Sequence, residues 1–406
     1  MQRSMPRALS PLLLPLGLFG LSAQAAPDPH DWAAVLEEAR GQEVFWYAWA
    51  GEERINDYIQ WTAERVEARH GITLTHVKLG DTAEAVSRVL AERQAGNDDA
   101  GSVDLIWING ENFATMKAND LLFGPWAEQL PHYPLTAPED NPAVRYDWTI
   151  PVDGLESPWD SSQVVFYYDT ALVYDHPDSM PALLDWARAN PGEFTYPRVP
   201  NFLGNAFITQ ALLELAGETA PFYAPVEESD FDVLTAPLWE FLDALHPHLW
   251  RGGRAFPANS SELRRLMGDG EIGIALSFST TEASGAIANF ELPETVRSYV
   301  HADGMLGNLS FLAIPYNASH PAGAMVVADF LLSPEAQARK QDPAVWGSGT
   351  VLAMERLDEE ARERFASIDL GIATLPPEEL GELLGQPHPS WVDALEAAWL
   401  ERYVGQ

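Results

Sequence analysis

The chain has 406 residues, 46% hydrophobic and 21% charged, enough to bury more than one core and too apolar for extended disorder. Acids outnumber bases 60 to 24; the formal charge of −36 repels nucleic acid and anionic membrane surfaces, and lysine occurs only at Lys78, Lys117 and Lys340. Cysteine is absent, which excludes a disulfide framework, a thiolate metal site, a cysteine nucleophile and a lipidated cysteine anchor.

Residues 1–25 read as a removable export signal. Arg3 and Arg7 precede an apolar run from Leu9 to Leu21, and Ala23-Gln24-Ala25 gives the small-x-small cleavage pattern. A periplasmic protein beginning at Ala26 is expected, and no later stretch is long and apolar enough to span a bilayer. Asp28-Pro29 has the form of an N-cap and first-position proline for a helix with Trp32, Val35, Leu36 and Ala39 on one face. Val44 to Trp49 reads as a buried strand ending at Ala50-Gly51. Ile55, Tyr58, Ile59, Thr62 and Val66 then mark one face of a helix that Gly71 stops. Ile72 to Val77 alternates as a second strand, and Asp81 with Glu84 resembles a capping box for a helix carrying Val86, Val89 and Leu90. Val103 to Ile108 is a third buried strand, running through the polar turn Asn109-Gly110 straight into another helix. Strand-then-helix units with short connections predict an open parallel sheet.

Pro131 to Pro158 is rich in proline and reads as surface loop with one strand over Trp148 to Val152. Gln163 to Tyr168 is the next strand, at the first crossing into a second lobe. Helices follow at Ser179 to Asn190, Ala206 to Leu215, Phe231 to Leu245 and Ser261 to Met267, and a strand over Ile272 to Phe278 leads into Ser279-Thr280-Thr281. Val296 to Val300 and Leu309 to Pro315 read as strands returning to the first lobe. Ala322 to Leu332 is an amphipathic helix, Ser333-Pro334 caps the next, and the tail from Trp346 is largely helical and polar. The expected class is α/β with two lobes interleaved in sequence. Residues 26–160 and 305–345 form the first, 161–304 and 346–406 the second.

Asp81 to Glu92, Val103 to Phe113, Leu122 to Pro131, Ser157-Pro158-Trp159 and Gly192 to Phe207 together resemble the extracellular solute-binding proteins of ABC importers, and within them the YnjB-type group. The resemblance implies a two-lobed periplasmic-binding-protein fold of the Venus flytrap, type II-like kind. It implies capture of a small solute between the lobes and delivery to an ABC permease in the inner membrane, and it supplies no solute. A monomer without cofactor or metal is expected.

Ligand-binding candidates sit where strands run into helices. Gly51 would let a ligand approach the backbone after the first strand, with Trp49 beside it; the alternative makes Gly51 a plain turn and Trp49 core. Asn109, Gly110, Glu111 and Asn112 gather an acid, two amides and free helix-start N–H groups, or else Asn109 forms the turn and Asn112 caps the helix. Asn201, Phe202, Gly204 and Asn205 resemble the second-lobe helix start that faces the cleft in this superfamily. Ser277, Ser279 and Thr280 offer hydroxyls at a strand end, with an ordinary cap as the alternative. Tyr167 lies at the first crossing, Asn308 and Ser310 at the return, and Trp346 precedes Gly347-Ser348-Gly349.

A helix start favours negative groups, whereas Glu111 beside aromatic rings favours positive ones. The reading leans toward a small polar solute that is cationic or zwitterionic. The contrary classes are a secreted hydrolase with a carboxylate pair, and an anion- or metal-binding relative of the same fold. No Gly-x-Ser-x-Gly elbow or His-Glu-x-x-His helix is present, and Tyr167-Tyr168 point to opposite faces of a strand, unlike a paired iron ligand.

Overall fold

The computed structural model describes residues 27–376 and 379–404, so the expected export signal lies outside the described residues. Asp31, not Asp28, caps the first helix, α1 (Trp32–Ala39), its carboxylate accepting the Ala34 N–H; Asp28 closes the turn before it. Then β1 (Glu43–Trp49), α2 (Glu53–His70), β2 (Thr73–Leu79), α3 (Ala83–Gln94), β3 (Leu105–Ile108) and α4 (Gly110–Ala118) alternate as expected. The apolar face of α2 buries Ile55, Tyr58, Ile59, Thr62 and Val66, and Gly71 ends it in the left-handed region at φ 69°. Glu84 reaches back to the N–H groups of Gly80 and Asp81, one half of the capping box.

The proline-rich stretch contains short 3-10 turns and a hairpin, β4 (Tyr146–Asp147) with β5 (Ile150–Pro151), whose turn holds Trp148 at φ 53°. After it come β6 (Glu156–Gln163), β7 (Val165–Asp169), α5 (Met180–Ala189), α6 (Phe202–Leu215), α7 (Phe231–Leu245), α8 (Ser260–Gly268), β8 (Ile274–Ser277), α9 (Glu282–Ala288) and β9 (Val296–Tyr299). The chain ends with β10 (Met305–Ala313), α10 (Pro321–Leu332), α11 (Pro334–Gln341), α12 (Glu359–Ala366), β11 (Leu383–Leu384) and α13 (Pro389–Tyr403).

The first lobe's sheet runs β2-β1-β3-β10-β6. Its first three strands are parallel and the last two pairings antiparallel, and β11 adds to the start of β10. β6 begins at Glu156, inside the proline-rich stretch expected to be loop as far as Pro158. Pro158 stands opposite Phe311, beside a register shift at Ser310, where a missing N–H interrupts no regular ladder. The second lobe's sheet is β8-β7-β9, all antiparallel, so β9 stays in that lobe and only β10 returns to the first. β6 passes to β7 through Val164, whose N–H donates to the Leu306 carbonyl at 2.8 Å, so the outgoing and returning strands lie side by side.

Separate apolar clusters fill the lobes. Helix α10 is buried along its whole length against α1, α2, β1 and β6, which corrects the amphipathic reading: a helix enclosed on every side carries apolar residues all round. Trp346, Val351, Leu352, Leu357, Ala361 and Phe365 join the first lobe's core, whereas Ala373, Trp391, Leu395 and Trp399 join the second's. Packing therefore divides the tail that the sequence reading placed whole in the second lobe.

Candidate functional site

The two lobes meet across a narrow cleft with about 50 Å³ of open space, lined from the first lobe by Asn109, Glu111 and Trp148. The second lobe contributes Phe202, Asn205, Ala206, Thr209, Phe278 and Val392, and Gln386 closes the rim. Among the described residues no lysine, arginine or histidine lines it.

Each wall is positioned by backbone geometry. Strand β3 turns sharply at Asn109 into α4, and Gly110, at φ 58°, begins the helix. The Trp148 ring lies against Gly110; a Cβ there would come within 2.6 Å of the ring, so glycine is required by both its dihedral and its neighbour. The Trp148 indole N–H donates to the Asn308 side-chain oxygen at 2.9 Å. Facing it, Phe202 at the start of α6 packs against Phe278 with ring centroids 5.0 Å apart.

The cleft floor is acidic. Glu111 lies between Asp81 on its own lobe and Asp393 and Glu396 of α13 on the other. Burial pushes its carboxyl up to about 7, against the pull of its own backbone N–H, and those three acids add to the rise. Beneath it both oxygens of Asp147 accept the Gly110 N–H, at 2.9 and 2.8 Å. Burial raises that carboxyl to about 8, opposed by the amide and helped by Glu111. Deeper still, Glu156 is fully buried with neither carboxyl oxygen hydrogen-bonded among the described residues, and burial holds it well above the usual carboxylate range.

Several expected residues thus converge: Asn109, Glu111, Phe202 and Asn205 line the cleft, and Asn112 donates to Glu111 at 3.3 Å. Asn308 and Ser310 stand behind the wall, the first holding Trp148 and the second accepting from the Asn109 amide at 3.5 Å. Asn201 caps α6 through the Leu203 N–H, and Gly204 is needed because the Pro197 carbonyl passes against it. Gly51 leaves room for the ring of Trp49, which packs on the first lobe's core; neither lines the cleft. Tyr167 is fully buried in the second lobe's core, where β7 is covered on both faces and Phe166 beside it is buried as well. Trp346 is packed among Tyr58, Trp107 and Trp159. Thr280 is half-buried away from the lining. Ser277 accepts the Ser279 N–H, and Ser279 donates to the Gly347 carbonyl. Sequence reasoning missed Trp148, assigned to a loop strand, together with Phe278, Gln386 and Val392; the one signal for Trp148 was an aromatic residue amid turn formers.

A second set of contacts joins the lobes beside the cleft. Across the lobes Arg54, at the start of α2, pairs with Glu282 of α9 at 3.4 Å and Arg264 of α8 with Glu52 at 3.8 Å; within its own lobe Arg54 holds Glu52 at 2.7 Å, and Arg264 holds Glu282 and, at 2.6 Å, Glu291. Thr281 donates to the Gly347 carbonyl. Among the described residues no cluster of three potential metal ligands occurs, and no helix is long and apolar enough to cross a membrane.

Two α/β lobes, strands crossing between them in both directions and an interlobe cleft at the carboxyl end of β3 define the architecture of a periplasmic-type solute-binding protein. The chain belongs to the bacterial extracellular solute-binding proteins, the family so described matching residues 61–355. It is 41% identical over 388 residues to protein YnjB of Escherichia coli strain K12, covering 96% of this chain and 97% of that one. In fold it is similar to PotD, a spermidine/putrescine ABC transporter substrate-binding protein of Streptococcus pneumoniae, with a TM-score of 0.62, 16% identity, and 90% and 99% of the two chains covered. It is also similar to AfuA, a periplasmic binding protein of Actinobacillus pleuropneumoniae with fructose-6-phosphate bound, at a TM-score of 0.61 and 14% identity over 89% and 99% of the chains.

Proposed function

We propose that this ABC-transporter solute-binding protein captures a small organic cation, or a zwitterion presenting its cationic end, in the cleft between its lobes and hands it unaltered to a permease. The observation that carries the reading is the chemistry of the cleft: Trp148, Phe202, Phe278 and Glu111 line the space, Asp393 and Glu396 of the second lobe act on Glu111 from behind it, and among the described residues no base lines it. Aromatic faces and carboxylates together recognise ammonium groups. Polyamine-binding PotD shares the fold, as does a sugar-phosphate binder, so the fold alone does not choose. An anion would meet uncompensated acids, and of the first amides of α6 that of Leu203 is already engaged by the Asn201 side chain. Bending where Val164 and Leu306 lie side by side would open and close the cleft. The expected export signal fits work in the periplasm.

A thermal-shift screen tests this. Diamines, quaternary ammonium compounds and amino acids are expected to raise the melting temperature in proportion to log concentration, and sugar phosphates and dicarboxylates to leave it unchanged. Stabilisation by the anions alone would reverse the reading.

A further inference from the structure

We infer that Glu111 is the specificity-determining group of the cleft and works by exchange: the empty closed cleft holds a proton on its carboxyl, and a cationic solute takes that proton's place. The inference rests on the proposed cationic reading and adds to it a role for one atom group.

The geometry supplies the reasons. Glu111 faces residues from both lobes, and the groups that act on its charge are acids, Asp81 in the β2–α3 turn and Asp393 and Glu396 on α13, with the Asp147 carboxyl, itself holding a proton, beneath. Asp393 and Glu396 belong to the second lobe, as do Phe202 and Phe278, which line the cleft together with Glu111. Closure around an empty cleft therefore removes water from a carboxylate and brings two more carboxylates toward it, an arrangement that a proton relieves. Nothing underneath can take the charge instead. Asp147 has both oxygens on one amide, and Glu156 is buried with neither oxygen partnered among the described residues. Lys117 of the same helix is committed to Asp153 at 2.6 Å and to the Pro151 carbonyl. A cationic solute supplies the missing counter-charge and releases the proton to solvent; a neutral analogue of the same shape leaves the proton in place and gains no ion pair. The O–H bond of the carboxyl breaks, the proton leaves as hydronium or on buffer, and a carboxylate–ammonium pair forms, with no electron transferred.

Closure and protonation are then linked. Glu111 holds its proton more tightly in the closed form than in the open one, so closure without solute is favoured at low pH and lost as pH rises through about 7. Small-angle scattering on the solute-free full chain from pH 5.5 to 8.5 reads this directly. The radius of gyration is expected to increase with pH around that midpoint, and Glu111→Gln, which carries a permanent neutral group, to stay compact throughout. Glu111→Leu, neutral and unable to hydrogen-bond, should behave as the glutamine variant does, which guards against a folding effect of either substitution. A wild-type radius that does not change with pH, or variants that expand as the wild type does, would overturn the inference. The scattering needs no solute, so its failure is distinct from failure of the cation screen.

Discussion

The indole N–H of Trp148 donates to the side-chain oxygen of Asn308 at 2.9 Å, joining residues 160 apart in the chain. Trp148 sits in a hairpin turn, and Asn308 in β10, the strand that brings the chain back from the second lobe. An aromatic wall of the cleft is thereby fixed to the strand beside the crossings, and movement at the crossings is felt by the wall. Trp148→Ala is expected to weaken binding of organic cations by roughly twofold to thirtyfold, the range of about 0.5–2 kcal/mol for a cation on an aromatic face. Trp148→Phe should lose less. Calorimetric titration with whichever cation gives the largest thermal shift checks both.

The Lys340–Asp160 pair tests the first lobe's core. The ammonium meets the carboxylate at 2.7 Å with both side chains buried, and Ser348 also donates to Asp160. Burial lowers the lysine's proton affinity and Asp160 opposes that. Lys340→Met leaves a buried carboxylate without its cation and is expected to cost about 3–5 kcal/mol in denaturant unfolding, part of which Lys340→Met with Asp160→Asn should restore.

Asp147 gives the fold a pH dependence of determinate sign. Its folded carboxyl stands near 8 against an ordinary 3.8, so the folded state holds a proton that the unfolded chain releases. The stability it contributes is full below about 4 and is lost as pH rises toward 8. Asp147→Asn should flatten the decline in stability between pH 5 and 8 by on the order of 1–3 kcal/mol, measured by urea unfolding at each pH.

Periodicity revealed the elements whose neighbours are local. The face of α2 and the Asn109-Gly110 turn appear where Ile55 to Val66 and Val103 to Asn112 place them. What it could not reveal depends on distant partners. β6 looks like loop until β10 arrives with a register shift to accommodate Pro158. Trp148 becomes a wall only because Gly110 and Asn308 come to it. Asp393 and Glu396, on a tail helix that reads as merely polar, enter the site because α13 packs on α6 and touches α4. Tyr167 and Trp346 were misplaced for the opposite reason: cores and ligand pockets use the same aromatic residues.

The arginines beside the cleft set the closed form's stability. Arg54→Ala removes the pair with Glu282 that spans the two lobes and leaves Glu282, 9% exposed, to Arg264 of its own lobe. Loss of roughly 1.5–3 kcal/mol from closure is expected. The solute-free variant should be more expanded in scattering than the wild type, with weaker solute affinity and little change in unfolding free energy.

The central claim, that an organic cation is held between the lobes, is tested most directly by native mass spectrometry of the protein isolated from a periplasm without denaturation, followed by identification of the released solute. The account predicts one small positively charged organic molecule per chain, at lower occupancy on Trp148→Ala prepared in the same way. A sugar phosphate, a dicarboxylate or a metal ion in its place, retained equally by that variant, would contradict it.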